Sequence, residues 1–260
     1  MKIVVVGGSG VIGSRLCSRL CGMGHEVFDA SPVEGVDVLT GAGLAAMLEG
    51  AQVVVDVSDA PAPGGTSAPA FFSKAGQQLM AAELAAGVRH HLVLSVVGAD
   101  RLVRGDYFRA KFDQENLVRA SGLPYTIVRS TQFIHFLGAI ADDATASDTV
   151  YLPAALMQPV DADEVADALA LCAVNAPLNS IVEIAGPESV TLEAAVRRYL
   201  AAVGDTRAVT TGADARFFGV ELAAQTLLAG DDAHHCSITV DQWSREKRDD
   251  FAISGGLRHV

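Results

Sequence analysis

Lys2-Ile3-Val4-Val5-Val6-Gly7-Gly8-Ser9-Gly10-Val11-Ile12-Gly13 stands at the head of the chain and changes character at its midpoint. Its first half is the β-branched run expected of a parallel strand buried on both faces. Its second half carries two overlapping glycine patterns, GxGxxG from Gly8 and GxxGxxG from Gly7. Both patterns make the same physical demands. A strand must turn sharply into a helix, the backbone must approach a ligand with no Cβ in the way, and the helix must pack closely on the sheet. The exposed amides and positive end of that helix suit a pyrophosphate, so Gly7, Ser9, Gly10, Val11, Ile12 and Gly13 are expected to bind a dinucleotide.

Working outward, Ile12, Leu16, Leu20 and Met23 recur at three- and four-residue steps and predict a helix that Gly22 and Gly24 end. His25-Glu26-Val27-Phe28 reads as a second strand, and a helix is expected around Leu44 to Leu48. Gln52 to Val57, His91 to Ser95 and Tyr125 to Arg129 read as further strands, separated by helical patterns over Phe71 to Ala86 and Tyr107 to Ala120. Strands alternating with helices at this spacing imply βαβ crossovers, hence a Rossmann-type α/β fold with a doubly wound parallel sheet. The rhythm weakens beyond about Thr131. The expected organisation is therefore a core over residues 1–130 and a smaller substrate-binding region over residues 131–260 that contains helices at Asp161 to Val174 and Leu192 to Val203.

Composition narrows the function. The chain has 260 residues, half of them hydrophobic, and a formal charge of -12, with no basic run. Such a surface repels a nucleic-acid backbone and an anionic membrane, while leaving room for one local phosphate pocket. No apolar stretch reaches transmembrane length, and glycines break the first one before a signal core forms, so a cytoplasmic protein is expected. The cysteines Cys17, Cys21, Cys172 and Cys236 contain no CxxC pair. Cys17 and Cys21, one turn apart, read as a helix face with a metal pair as the alternative, and His234-His235-Cys236 lacks a second ligand cluster, so no metal is expected.

Asp29, at the end of the second strand, has the spacing of a residue that accepts hydrogen bonds from the adenosine ribose. With Ala30 and Ser31 it favours NAD over NADP, since its carboxylate repels a 2′-phosphate. Asp37 and Val38 are candidates for an adenine contact. Tyr107 and Lys111 stand four residues apart on one helix face. The pairing predicts an ammonium that lowers the phenol's pKa and bonds the nicotinamide ribose, and a phenol that passes a proton to a carbonyl oxygen. Ser95, at a strand end, is expected to orient that oxygen.

The stretches VVVGGSGVIGSRL, LVLSVVGAD, YFRAKFDQENLVRASGLPYTIVRSTQF, QPVDADEVADAL and VEIAGPE together resemble the atypical short-chain dehydrogenase/reductases of the NmrA-like group. The resemblance implies NAD(P) in the turn from Gly7 to Gly13. It also places Ser58, Asp59 and Ala60 over the cofactor and Thr131 beside the nicotinamide, with Phe133, His135 and Phe136 lining a substrate pocket. The sequence departs from the group's pattern where many members carry an arginine after the second strand; here Asp29-Ala30-Ser31-Pro32 follows instead. It keeps the tyrosine that many members lose, and it lacks the asparagine that the wider superfamily adds to its proton relay. The expected activity is NAD(P)H-dependent oxidation or reduction of a small carbonyl, quinone or enone. The alternatives are a cofactor-binding redox sensor and an epimerase or dehydratase with transient hydride transfer.

Overall fold

The computed structural model describes residues 1–60 and 67–253. In chain order β1 (Lys2–Val6), α1 (Val11–Gly22), β2 (Glu26–Ala30), α2 (Leu44–Leu48), β3 (Val53–Asp56), α3 (Ala68–Ala86), β4 (His90–Val96), α4 (Asp106–Ala120) and β5 (Tyr125–Ser130) realise the expected alternation. After α5 (Leu137–Asp143) come three short strands, β6 (Thr145–Ala146), β7 (Thr149–Leu152) and β8 (Leu156–Met157). α6 (Ala162–Val174), β9 (Ser180–Ala185), β10 (Val190–Thr191), α7 (Leu192–Val203), β11 (Ala208–Thr211), β12 (His234–His235) and α8 (Val240–Ile253) complete the described chain.

Seven strands form one sheet in the order β12-β9-β5-β4-β3-β1-β2. The pairs β1 with β2, β1 with β3, β3 with β4 and β9 with β12 are parallel. The β1–β3 step reverses the direction in which the sheet grows, which is the topological switch point where such sheets open a crevice at the strand C-termini. The Gly7 turn leaves β1 at that point.

The chain divides into two compact units, residues 1–129 with 165–182, and residues 130–164 with 183–260. In the first, Ile3, Val4 and Val5 are inaccessible to solvent, as are Leu16 and Leu20 on one face of α1. Each such side chain contributes about 1.5–3 kcal/mol by leaving water. Val4, Val6, Val54, Val93 and Ile127 from the strands pack with Leu44, Leu48, Leu79 and Val118 from the helices. In the second unit, Asp161 accepts the Asp163 and Glu164 amides at 2.9 and 3.4 Å. Tyr199 of α7 stacks on Trp243 of α8 with ring centroids 5.7 Å apart.

The ligand-rich run ending in Cys236 serves as strand. His234 and His235 make up β12, and the amide of Cys236 donates to Ala185 O at 2.8 Å. Among the described residues no group of three metal-ligating side chains occurs, and no helix is long and apolar enough to cross a membrane.

Candidate active site

Gly7 has φ +82°, in the left-handed region, and its carbonyl accepts the Gly10 amide at 3.0 Å. This tight loop brings the backbone of Gly7 and Gly8 against Gly13, where a Cβ would lie 2.0 Å from Gly7 O and 2.6 Å from Gly8 Cα. Gly10 is the N-cap of α1, so no capping side chain accepts the first-turn amides, and no acidic residue stands in that turn. Those amides keep their capacity for an anion. Ser9, Gly10 and Val11 are exposed around them, while Ile12 and Gly13 are buried.

A Cβ on Gly8 would meet the Asp29 carboxylate at 2.6 Å, so the aspartate of β2 lies directly over the glycine turn. Ser31 Oγ donates to Asp29 Oδ2 at 2.9 Å. Asp29 Oδ1 is buried and has no hydrogen-bond partner. An acceptor left this way costs about 1–3 kcal/mol, a cost a ribose hydroxyl would remove by donating to it. The glycine cradle and this orphaned oxygen together fit a dinucleotide. Asp37 is otherwise engaged. Its carboxylate accepts the Leu39 amide and the Thr40 hydroxyl, each at 2.8 Å, and the bonds from Thr40 and Leu39 hold its pKa below the ordinary value.

Lys111 on α4 is 4% exposed, with its ammonium 4.4 Å above the centre of the Phe72 ring. It donates to Gln114 Oε1 at 2.6 Å, and Gln114 Nε2 in turn donates to Asp56 Oδ2 at 2.8 Å. Asp56 Oδ1 is held by the Ser58 amide at 3.0 Å and the Ser58 hydroxyl at 2.6 Å. Desolvation lowers the lysine's pKa, and Asp56, Asp59 and Glu115 draw it back up.

Tyr107 is 39% exposed and meets the rings of Phe72 and Phe108 edge-on. Its phenol differs from expectation. Desolvation, and then the charge of Asp59, raise its pKa well above the ordinary value, and no lowering by Lys111 opposes them. The physical reason is that the lysine ammonium is turned to Gln114 and Phe72.

Ser95 is likewise engaged. Its hydroxyl donates to Glu115 Oε1 at 2.7 Å, so its one proton is spent and its oxygen can only accept. Glu115 is fully buried and also takes Arg129 Nε and Nη2, each at 2.8 Å, and Arg119 Nη2 at 3.0 Å. Arg129 reaches Asp100 at 3.2 Å as well.

In the second unit, Thr131 Oγ1 donates to Gln158 O at 2.5 Å, and Phe133 and His135 stack with centroids 5.2 Å apart. Phe136 is 40% exposed beside Phe218. Gln132, in the segment after β5, is 6% exposed with both amide atoms buried and unpartnered. Asp56, Gln114 and Glu115 carry no local signal in the sequence, since their partners lie up to 58 residues away along the chain.

A strand–glycine turn–helix with an acidic residue over the turn defines a dinucleotide-binding protein. The family model described as NAD(P)H-binding matches residues 7–175, and the chain belongs to that family. Its fold is similar to that of MoeE5 in complex with UDP-glucose and NAD, with 18% identity, a TM-score of 0.69, and 98% of this chain and 100% of that one covered. The NADPH-dependent quinone oxidoreductase QOR2 of Escherichia coli has 16% identity and a TM-score of 0.69, covering 94% of this chain and 99% of that one. UDP-glucose 4-epimerase of Thermus thermophilus, in complex with NAD, has 17% identity and a TM-score of 0.68, covering 98% and 100%. No curated protein is similar enough in sequence to count as a match.

Proposed function

We propose that the protein is an NAD(P)H-dependent oxidoreductase, of the NmrA-like group of short-chain dehydrogenase/reductases, that reduces a small carbonyl, quinone or enone. The observation that carries this reading is the glycine cradle under Asp29, whose buried carboxylate oxygen lacks a partner, together with a buried Lys111 one helical turn from Tyr107. The bound nicotinamide supplies a hydride; the chain supplies the cradle and the proton.

In this reading the amides of the Gly7–Gly13 turn hold the diphosphate, and Asp29 with Ser31 accepts the adenosine ribose. Val38 lies toward the adenine, and Ser58, Asp59 and Ala60 border the nicotinamide half. An ammonium has three protons, and Lys111 gives one to Gln114, which leaves two for the hydroxyls of the nicotinamide ribose. Tyr107 donates its proton to the substrate oxygen as charge develops there. Ser95 accepts rather than donates, so Tyr107 is the sole proton source assigned here.

The test is substrate-dependent oxidation of NADH and NADPH by the parent and by Tyr107→Phe. NADH should be preferred, and the variant should lose about 10²–10⁴-fold in kcat while binding NADH as before. Unchanged turnover in Tyr107→Phe would remove the phenol from the mechanism.

A further inference from the structure

The chain from Lys111 through Gln114 to Asp56 and Ser58 has chemical consequences of its own. Its bonds run 2.6, 2.8 and 2.6 Å between buried or half-buried groups. Gln114 is 4% exposed and has one side-chain oxygen and one side-chain nitrogen, and each is committed in a fixed sense. The oxygen takes the ammonium proton and the nitrogen faces the carboxylate, so the amide cannot flip without setting donor against donor and acceptor against acceptor. An amide in this position orients its neighbours but does not conduct a proton, since its nitrogen has no free lone pair with which to accept one. A carboxylate here would have faced Asp56 as a like charge; an apolar side chain would have left the ammonium with the Phe72 ring alone.

We propose that Gln114 is the positioning residue of the site: its side-chain amide, anchored by Asp56, fixes the Lys111 ammonium so that its remaining protons face the ligand. The inference rests on reading Lys111 as a cofactor-binding residue. The charged groups acting on the ammonium are Asp56 and Asp59, from β3 and the segment after it, and Glu115 of α4; α3 contributes the uncharged face of Phe72. Burial already works against the charged lysine, so losing the Gln114 bond makes the ammonium release its proton at a lower pH. Cofactor affinity then falls as pH rises through that lowered value, because a neutral amine no longer offers a full charge to the ribose oxygens.

The chain has four lysines, Lys2, Lys74, Lys111 and Lys247, so their side-chain resonances can be followed separately by NMR in the ligand-free protein, with Lys111→Met for assignment. In Gln114→Met the Lys111 titration should move down by about one pH unit, which is the worth of one hydrogen bond to a neutral amide. NADH should bind about tenfold more weakly. Gln114→Leu, which likewise removes both amide bonds, should move the titration in the same direction and serves if Gln114→Met does not fold. A Lys111 titration that is unmoved in the folded variants would overturn the proposal, as would unaltered NADH affinity. The NMR readout needs no turnover, so a protein that binds NADH yet transfers no hydride would sink the reductase reading and leave this one standing.

Discussion

Gly13→Ala should abolish saturable NADH binding, with affinity falling at least about 100-fold. The added methyl carbon would sit 2.0 Å from Gly7 O and 2.6 Å from Gly8 Cα, both backbone atoms of the turn itself. No rotamer relieves such an overlap, so α1 must move away from β1 or the turn must open, and either displaces the amides that face the diphosphate. Overpacking of this kind also costs about 1–3 kcal/mol of stability. Gly22→Ala, at the other end of the same helix, is the control. A Cβ there meets nothing within 4 Å, and it should leave NADH affinity unchanged. Titration of the intrinsic fluorescence with NADH, beside thermal melts, separates the two substitutions. Equal affinities would contradict the proposed cradle.

The second large effect is expected at Glu115. This carboxylate is inaccessible to solvent and gathers Ser95, Arg119 and Arg129, with Arg129 itself only 5% exposed. Glu115→Ala would leave a buried guanidinium to Asp100, whose side chain is 42% exposed and correspondingly screened. Breaking one side of a buried ion pair costs about 3–5 kcal/mol, or a fall in Tm of roughly 10 °C for a chain of this size. Glu115→Gln keeps an acceptor for Ser95 and should lose less. The Ser95 hydroxyl also becomes free to turn once Glu115 is gone, so any change in substrate preference in the residual activity reports what that hydroxyl does in the parent. Melting temperatures within about 2 °C of the parent for Glu115→Ala would show that the network contributes little.

Much of this architecture was legible from local pattern. In β1 a β-branched run followed at once by Gly7 and Gly8 has one economical reading, and left-handed glycines, Gly24, Gly87 and Gly122, stand one or two residues past the ends of α1, α3 and α4. The strands beyond residue 143 were not legible. β6, β8, β10 and β12 are two residues long, too short for alternation to register, and they exist because a distant segment pairs with them, as Val190 and Thr191 do with Met157 and Leu156. In the site, Asp29 and the glycine turn follow from spacing, since the β1–β2 register brings Val5 opposite Asp29. The partners of Lys111 and Ser95 do not. Helical spacing put Tyr107 and Lys111 on one face, but it could not foresee that Gln114 and Phe72 take up the ammonium, or that Glu115 claims the serine proton. Side-chain hydrogen bonds across 20 to 58 residues are decided by packing, and packing leaves no local periodicity.

In the proposed reaction a hydride leaves the nicotinamide of a cofactor whose diphosphate sits in the Gly7–Gly13 turn, and it remains on the substrate. Incubating the protein with NADH deuterated at C4 and a panel of small ketones, quinones and enones, followed by mass spectrometry of both pools, tests it directly. A ketone or enone product one mass unit heavier than the protiated control is expected, with an oxidised cofactor; for a quinone, whose hydroquinone hydroxyls exchange with water, oxidation of the cofactor alone is the expected readout. Label that returns to the cofactor after substrate has been converted would instead mark transient hydride chemistry, and tight NADH binding with no label moved by any substrate would contradict an enzymatic role.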